Sequence, residues 1–150
     1  MDERIADHLK LLNKYTIYLK EIAQVSKEKY ISDHILRASS ERYLQLAIES
    51  CLNIGNRLLS IAQFSAPIST PETYADVFKE IGRLCDIPED FVDKLVKMAK
   101  FRNMLVHLYW ELEPEKIYQI LQNSINDFER FRDLIVDCLT SITTGDDLLK

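Results

Sequence analysis

FRNMLVHLYW, residues 101–110, sets Arg102, Asn103, His107 and Tyr109 among Phe101, Met104, Leu105, Val106, Leu108 and Trp110. No glycine or proline interrupts the stretch, so it reads as part of a long helix. At about 100° per residue, Arg102 and Tyr109 fall one above the other, two turns apart. Asn103 and His107 make an i, i+4 pair. The apolar side chains close the rest of the circle. A helix that is apolar nearly all round is buried on more than one side. In a chain this small, a second subunit is a natural source of the second burying surface. The polar groups then admit two readings. They are structural, with Arg102 paired to a core carboxylate and His107 bonded to a backbone carbonyl, or they line a cleft at the contact between subunits.

Working outward, the helix spans about Glu89 to Leu112, with Pro88 at its first turn. Pro114 opens a further helix to about Leu139. Upstream, Tyr74 to Leu84 reads as a short helix, entered from Thr70 or Glu72. The prolines of SAPISTPET, residues 65–73, mark the one convincing loop. A long helix before it is capped by Ser32 or Asp33 and carries Leu44, Ile48, Leu52 and Leu58. Gly55 within that helix suggests close helix packing. Glu3 to Gln24 forms the first amphipathic helix, with acidic residues at its start, and a short break lies near Ser26–Tyr30. The sequence therefore predicts an all-α antiparallel bundle of about five helices. Residues 1–140 form one domain and 141–150 a frayed tail.

Three glycines and four prolines in 150 residues agree with long helices, and 47% hydrophobic residues suffice for a core. A net charge of −5 argues against a broad basic nucleic-acid footprint, though a small local site is compatible with it. Cys51, Cys85 and Cys138 are odd in number and lack ligand spacing. They read as reduced thiols in a cytoplasmic protein, not as a disulfide frame or a zinc site. The N-terminus has no signal pattern, and no apolar run approaches a membrane span.

Arg102-Asn103-x3-His107-x-Tyr109 resembles the signature of the HEPN superfamily, in the form found in its HepT branch. ERYLQLAIESCLNIGNRLLS (41–60) is similar to that family's second helix, and residues 74–131 follow its pattern through the motif and beyond. The sequence departs from the pattern at Lys100, where a small residue is expected, and at Asn53, where Asp is common. The resemblance implies a HEPN-like bundle in a two-fold homodimer and a metal-independent endoribonuclease without a cofactor. It also implies toxin activity in a toxin–antitoxin pair, with a nucleotidyltransferase of the MNT type as antitoxin. That partner would silence the toxin by transferring AMP to Tyr109.

The residue types suit this chemistry. Cleaving RNA without a metal needs a base for the 2′-hydroxyl, an acid for the leaving 5′-oxygen and a cation for the phosphorane. His107 is the proton carrier of the motif, with an unperturbed pKa near 6.5. Arg102 grips phosphate through its planar fork. Asn103 orients His107 or donates to a phosphate oxygen, and Lys94, Lys97 and Lys100 read either as a solvated face or, for Lys100, as a cation that reaches substrate. One histidine cannot easily serve as both base and acid, whereas a two-fold dimer supplies two. His8 and His34 lack any ligand pattern, and Trp110 and Phe101 read as core or dimer contacts. Two other readings remain: a non-catalytic nucleotide-binding or scaffolding HEPN partner of a nucleotidyltransferase, and a helical interaction protein whose motif is structural.

Overall fold

In a computed structural model, the backbone is described for residues 1–149 and the side chains for residues 1–142. Among the described residues the chain is helical, without strands. The order is α1 (Glu3–Ala23), α2 (Lys27–Ser32), α3 (His34–Ala62), α4 (Tyr74–Leu84), α5 (Glu89–His107), a 3-10 turn (Tyr109–Glu111), α6 (Pro114–Asn123) and α7 (Asn126–Leu149). The all-α class is as the sequence predicts.

The longest contact is α1 against α3. Ile5, Leu12 and Leu19 of α1 and Leu44, Ile48, Ile54 and Leu58 of α3 are almost wholly buried. The two helices are antiparallel, and their ends are tied by Asp2. One oxygen of that carboxylate accepts from the Ile5 amide as the α1 cap, and the other pairs with Arg57 at 3.0 Å. Across the bundle, Phe78 of α4 meets Phe131 of α7 edge to face, with centroids 5.9 Å apart. Both rings are fully buried, so truncating either to Ala costs about 3–5 kcal/mol.

Three boundaries correct the sequence reading, and a fourth decides between its two alternatives. The expected break at Ser26–Tyr30 contains α2, capped by Ser26, whose hydroxyl accepts from the Lys29 amide at 3.2 Å. Burial of Tyr30 and its 2.6 Å hydrogen bond with Ser40 hold this short helix down. Asp33, not Ser32, caps α3 through the amides of Ile35 and Leu36. Thr73, not Thr70 or Glu72, caps α4, where Thr73 and Asp76 form a reciprocal capping box. The helix expected from Pro114 to Leu139 is divided at Ser124 into α6 and α7. The expected frayed tail falls mainly on residues whose side chains lie outside the described ones. Its backbone continues as helix through Leu149.

The cysteine reading is also corrected. Cys85, at the C-terminal end of α4, is disulfide-bonded to Cys138 on α7, with Cα atoms 5.3 Å apart. The partners are 53 residues apart in sequence. Spacing alone could not show that the end of α4 docks on α7. Cys51 stays free and buried, and burial pushes its thiol pKa far up, which leaves it unreactive.

After Cys85 the chain turns through Asp86, whose φ is 51°. Asp tolerates this left-handed conformation, and the Ile87 amide reaches back to the Gly82 carbonyl at 3.0 Å. This tight turn lays α5 against α4. A Cβ on Gly82 would stand 2.6 Å from Val92 Cγ2, so only glycine permits that approach. No helix among the described residues is long and apolar enough to cross a membrane.

Candidate functional site

Helix α5 carries the motif. Phe91, Leu95, Ala99 and Leu105 form its buried stripe, and Arg102 emerges beside that stripe towards α3. Its Nη2 and Nε donate to the same Glu49 oxygen at 3.0 and 3.2 Å, and its Nη1 donates to Asn103 Oδ1 at 3.3 Å. The guanidinium also lies over the Tyr74 ring, 4.9 Å from its centroid. A guanidinium has five N–H donors. Three are engaged here, so two remain for an incoming anion. The Arg102 side chain is only 16% exposed, so its position is fixed by packing and by ionic contacts.

The pairing with Glu49 realises part of the structural alternative drawn from sequence. It is equally what a preorganised phosphate site requires. Glu49 and Tyr74 were not identified as site residues from sequence. Glu49 lies in the 41–60 segment, but nothing in its spacing points to a residue 53 positions away. Asn53, noted as a departure from the family pattern, lines the same small cavity as Arg102, Glu49 and Tyr74.

The expected stripe joining Arg102 to Tyr109 is not formed. Helix α5 ends at His107, and Leu108 leaves helical geometry at φ −133° and ψ 33°. Tyr109 and Trp110 belong to the following 3-10 turn and pack edge to face, 5.4 Å between centroids. His107 is therefore the last residue of its helix and is exposed, as are Asn103 and Lys100. Tyr109 is 62% and Trp110 66% exposed, and Met104 and Leu108 are also open on this surface. The apolar circle expected to be buried is thus closed on the core side and open around His107 in the single chain. Arg102 and Asn103 are brought together, while His107 closes α5 and Tyr109 opens the 3-10 turn two residues later. Among the described residues no cluster of three or more His, Cys, Asp or Glu side chains is placed to hold a metal ion.

Set against known proteins, residues 5–135 match the model of the family described as Ribonuclease HepT-like. The chain belongs to that family. Two curated HepT relatives align with most of it. The mRNA nuclease HepT of Shewanella oneidensis is 30% identical over 119 residues, which covers 78% of this chain and 86% of the relative. The tRNA nuclease HepT of Aphanizomenon flos-aquae is 22% identical over 126 residues, covering 83% and 82%. Among solved structures, a tri-AMPylated Shewanella oneidensis HEPN toxin in complex with MNT antitoxin superposes with a TM-score of 0.81 at 25% identity. That match covers 91% of this chain and 99% of the other. The HepT-like fold expected from the motif is therefore the fold of this chain.

Proposed function

We propose that this HepT-like chain is the toxin of a toxin–antitoxin pair and a metal-independent endoribonuclease. Arg102, Asn103 and His107 carry the chemistry, and Tyr109 is the site at which an MNT-type nucleotidyltransferase silences it. The observation that carries the reading is the arrangement of Arg102. A nearly buried guanidinium, held by Glu49 and Asn103, keeps two N–H donors in reserve. The names of the relatives supply the direction, since both are nucleases.

The reaction is an intramolecular transfer. The 2′-oxygen of one ribose attacks the adjacent phosphorus, the P–O5′ bond breaks, and the products are a 2′,3′-cyclic phosphate and a 5′-hydroxyl. A base takes the 2′-hydroxyl proton and an acid protonates the leaving oxygen. His107, exposed at the end of α5, is open to substrate. Arg102 neutralises charge on the phosphorane, as a preorganised cation does without reorganisation. Two protomers related by a two-fold axis provide the second histidine. The open Met104, Leu108 and Trp110 around His107 supply apolar surface for such a contact. Lys100, exposed on α5, adds a cation at the rim.

In the silencing step the Tyr109 hydroxyl oxygen attacks the α-phosphorus of ATP. An O–P bond forms and pyrophosphate leaves. The adduct places an anionic phosphodiester and an adenosine two residues from His107, where charge and bulk together exclude RNA.

The test is inducible expression of wild type, His107→Ala and Arg102→Ala, with growth and RNA ends recorded. Wild type is expected to arrest growth and to leave 5′-hydroxyl ends, and neither variant does. Growth arrest by His107→Ala with the same new RNA ends would remove the acid–base role. The scaffolding alternative predicts no new ends from any of the three.

A further inference from the structure

Beside Arg102 lies a groove of mixed polar and apolar lining between α3 and the start of α4, with Leu52 and Val77 among its apolar walls. It consists of two cavities with shared walls. The smaller, about 230 Å³, is bounded by Glu49, Asn53, Asn56, Tyr74 and Arg102. The larger, about 510 Å³, is bounded by Asn56, Pro71, Thr73, Tyr74 and Asn103, with Glu72 also on its wall. Asn56 and Tyr74 belong to both. We propose that this groove is the subsite for a nucleobase flanking the scissile phosphate of single-stranded RNA, with adenine favoured. Tyr74 stacks on the base, and Asn56 and Asn103 read its edge. The proposal rests on the assignment of Arg102 to the phosphate.

Three observations support it. The first is charge. Arg102 is the cation of the groove and is already paired with Glu49, while Glu72 is acidic. The larger cavity therefore suits an uncharged group, and a second phosphate would meet repulsion there. At the α4 N-terminus the capping box already engages the amides of Thr73 and Asp76, and the Asp76 carboxylate adds a negative charge there.

The second is the chemistry of the walls. Each asparagine amide offers donors and an acceptor together. Asn53 and Asn56 are exposed, and among the described residues their side chains make no hydrogen bond. A single asparagine can bond adenine bidentately through N6 and N7. Tyr74 is 40% exposed even with Arg102 against its ring, which leaves aromatic surface for a base. Stacking on aromatic rings is a general device for holding unpaired bases.

The third is rigidity. A Cβ on Gly55 would lie 2.9 Å from Val77 Cγ1, so α4 is seated directly on α3 at the groove. Tyr74 is one turn before Val77 and immediately follows the capping residue Thr73. The ring is thus carried on a fixed element, not on the preceding loop.

The test uses the His107→Ala chain as a non-cleaving parent and two fluorescein-labelled pentanucleotides, rA5 and rU5, read by anisotropy. The parent is expected to bind rA5 more tightly than rU5. Tyr74→Leu weakens rA5 by about tenfold, within the range for loss of one stacked base. Tyr74→Phe keeps the affinity, and Asn56→Asp removes the preference for rA5. The rA5-to-rU5 ratio separates this role from a mere packing role of Tyr74 under Arg102, which would weaken both oligonucleotides alike. A parent that binds neither RNA, or groove variants that match the parent on both, would overturn the subsite. A second arm assays cleavage by the chain with His107 intact. Groove-dependent binding without cleavage would refute the nuclease reading alone. Cleavage that is indifferent to Tyr74→Leu and Asn56→Asp would refute the subsite alone.

Discussion

Glu49 on α3 holds Arg102 on α5 through a single carboxylate oxygen, which accepts from Nη2 at 3.0 Å and from Nε at 3.2 Å. The same oxygen accepts from Gln45 Nε2 at 3.1 Å. The carboxylate therefore aims the guanidinium and also competes with any phosphate for it. Glu49→Gln keeps an oxygen acceptor and removes the negative charge. RNA binding is expected to tighten and to become more salt-dependent, because an unneutralised arginine displaces more counterion. Anisotropy titrations across a salt series check this. Weaker binding by Glu49→Gln would show that aiming Arg102 outweighs the competition.

Arg102→Lys keeps the charge and loses the planar fork that engages Glu49 and Asn103 together. Cleavage is expected to fall by about 10²-fold or more, the usual cost of losing one preorganised donor to a developing charge. Activity is expected to survive EDTA. Initial rates on a labelled RNA, with and without chelator, decide both. Loss of activity in EDTA that Mg²⁺ restores would replace the metal-independent mechanism.

Much of this site was legible in the sequence, and the exceptions have physical causes. Local periodicity places α4 at Tyr74–Leu84, and Pro88 places the start of α5 at Glu89, as observed. The motif itself locates Arg102, Asn103 and His107. The end of α5 was misplaced because neither glycine nor proline stands between His107 and Leu112. The break at Leu108 has no local breaker, and this moved Tyr109 off the helix. Glu49, Tyr74 and the Cys85–Cys138 bridge depend on which helices meet, and periodicity within one helix carries no such information.

Tyr109 lies on the 3-10 turn with its ring largely in solvent, so a transferase can reach its hydroxyl without unfolding the chain. Tyr109→Phe removes the acceptor oxygen and keeps the contact with Trp110. It is expected to remain folded, to cleave RNA nearly as well as wild type, and to escape silencing by the partner transferase with Mg-ATP. Intact-mass measurement reads AMP addition directly. Full addition to Tyr109→Phe would move the acceptor elsewhere, with Tyr74 and Tyr118 the next to replace.

Asp76 links acidity to the start of α4. Its pKa is held below the usual carboxylate value, chiefly by the hydrogen bond from the Glu72 amide and further by Thr73. A carboxyl with a lowered folded-state pKa stabilises the fold above its unfolded pKa of about 3.9, and that contribution is lost as pH falls through the folded value. The melting temperature of wild type is therefore expected to exceed that of Asp76→Ala by a constant margin from about pH 5 to 7. The margin narrows below about pH 4. Thermal melts at several pH values test this, and a margin that persists unchanged into strong acid would assign the difference to packing instead.

The Cys85–Cys138 bridge closes a loop that contains α5 and α6, and so encloses the motif. Closing a loop of this length removes unfolded-state entropy worth about 4 kcal/mol. Reduction by a dithiol proceeds by thiol–disulfide exchange, in which the reagent is oxidised and both protein sulfurs leave as thiols. Urea unfolding of the oxidised chain is expected to show this extra stability over the reduced chain, and Cys85→Ala/Cys138→Ala is expected to be insensitive to reductant. Cys51 is common to all these forms and buried, so it serves as the internal control in thiol counting under denaturation: one free thiol before reduction, three after. Three free thiols in protein never exposed to reductant would mean that the bridge does not form. One free thiol with an unchanged urea midpoint after reduction would mean that α4 is held on α7 by packing, through contacts such as Phe78 against Phe131.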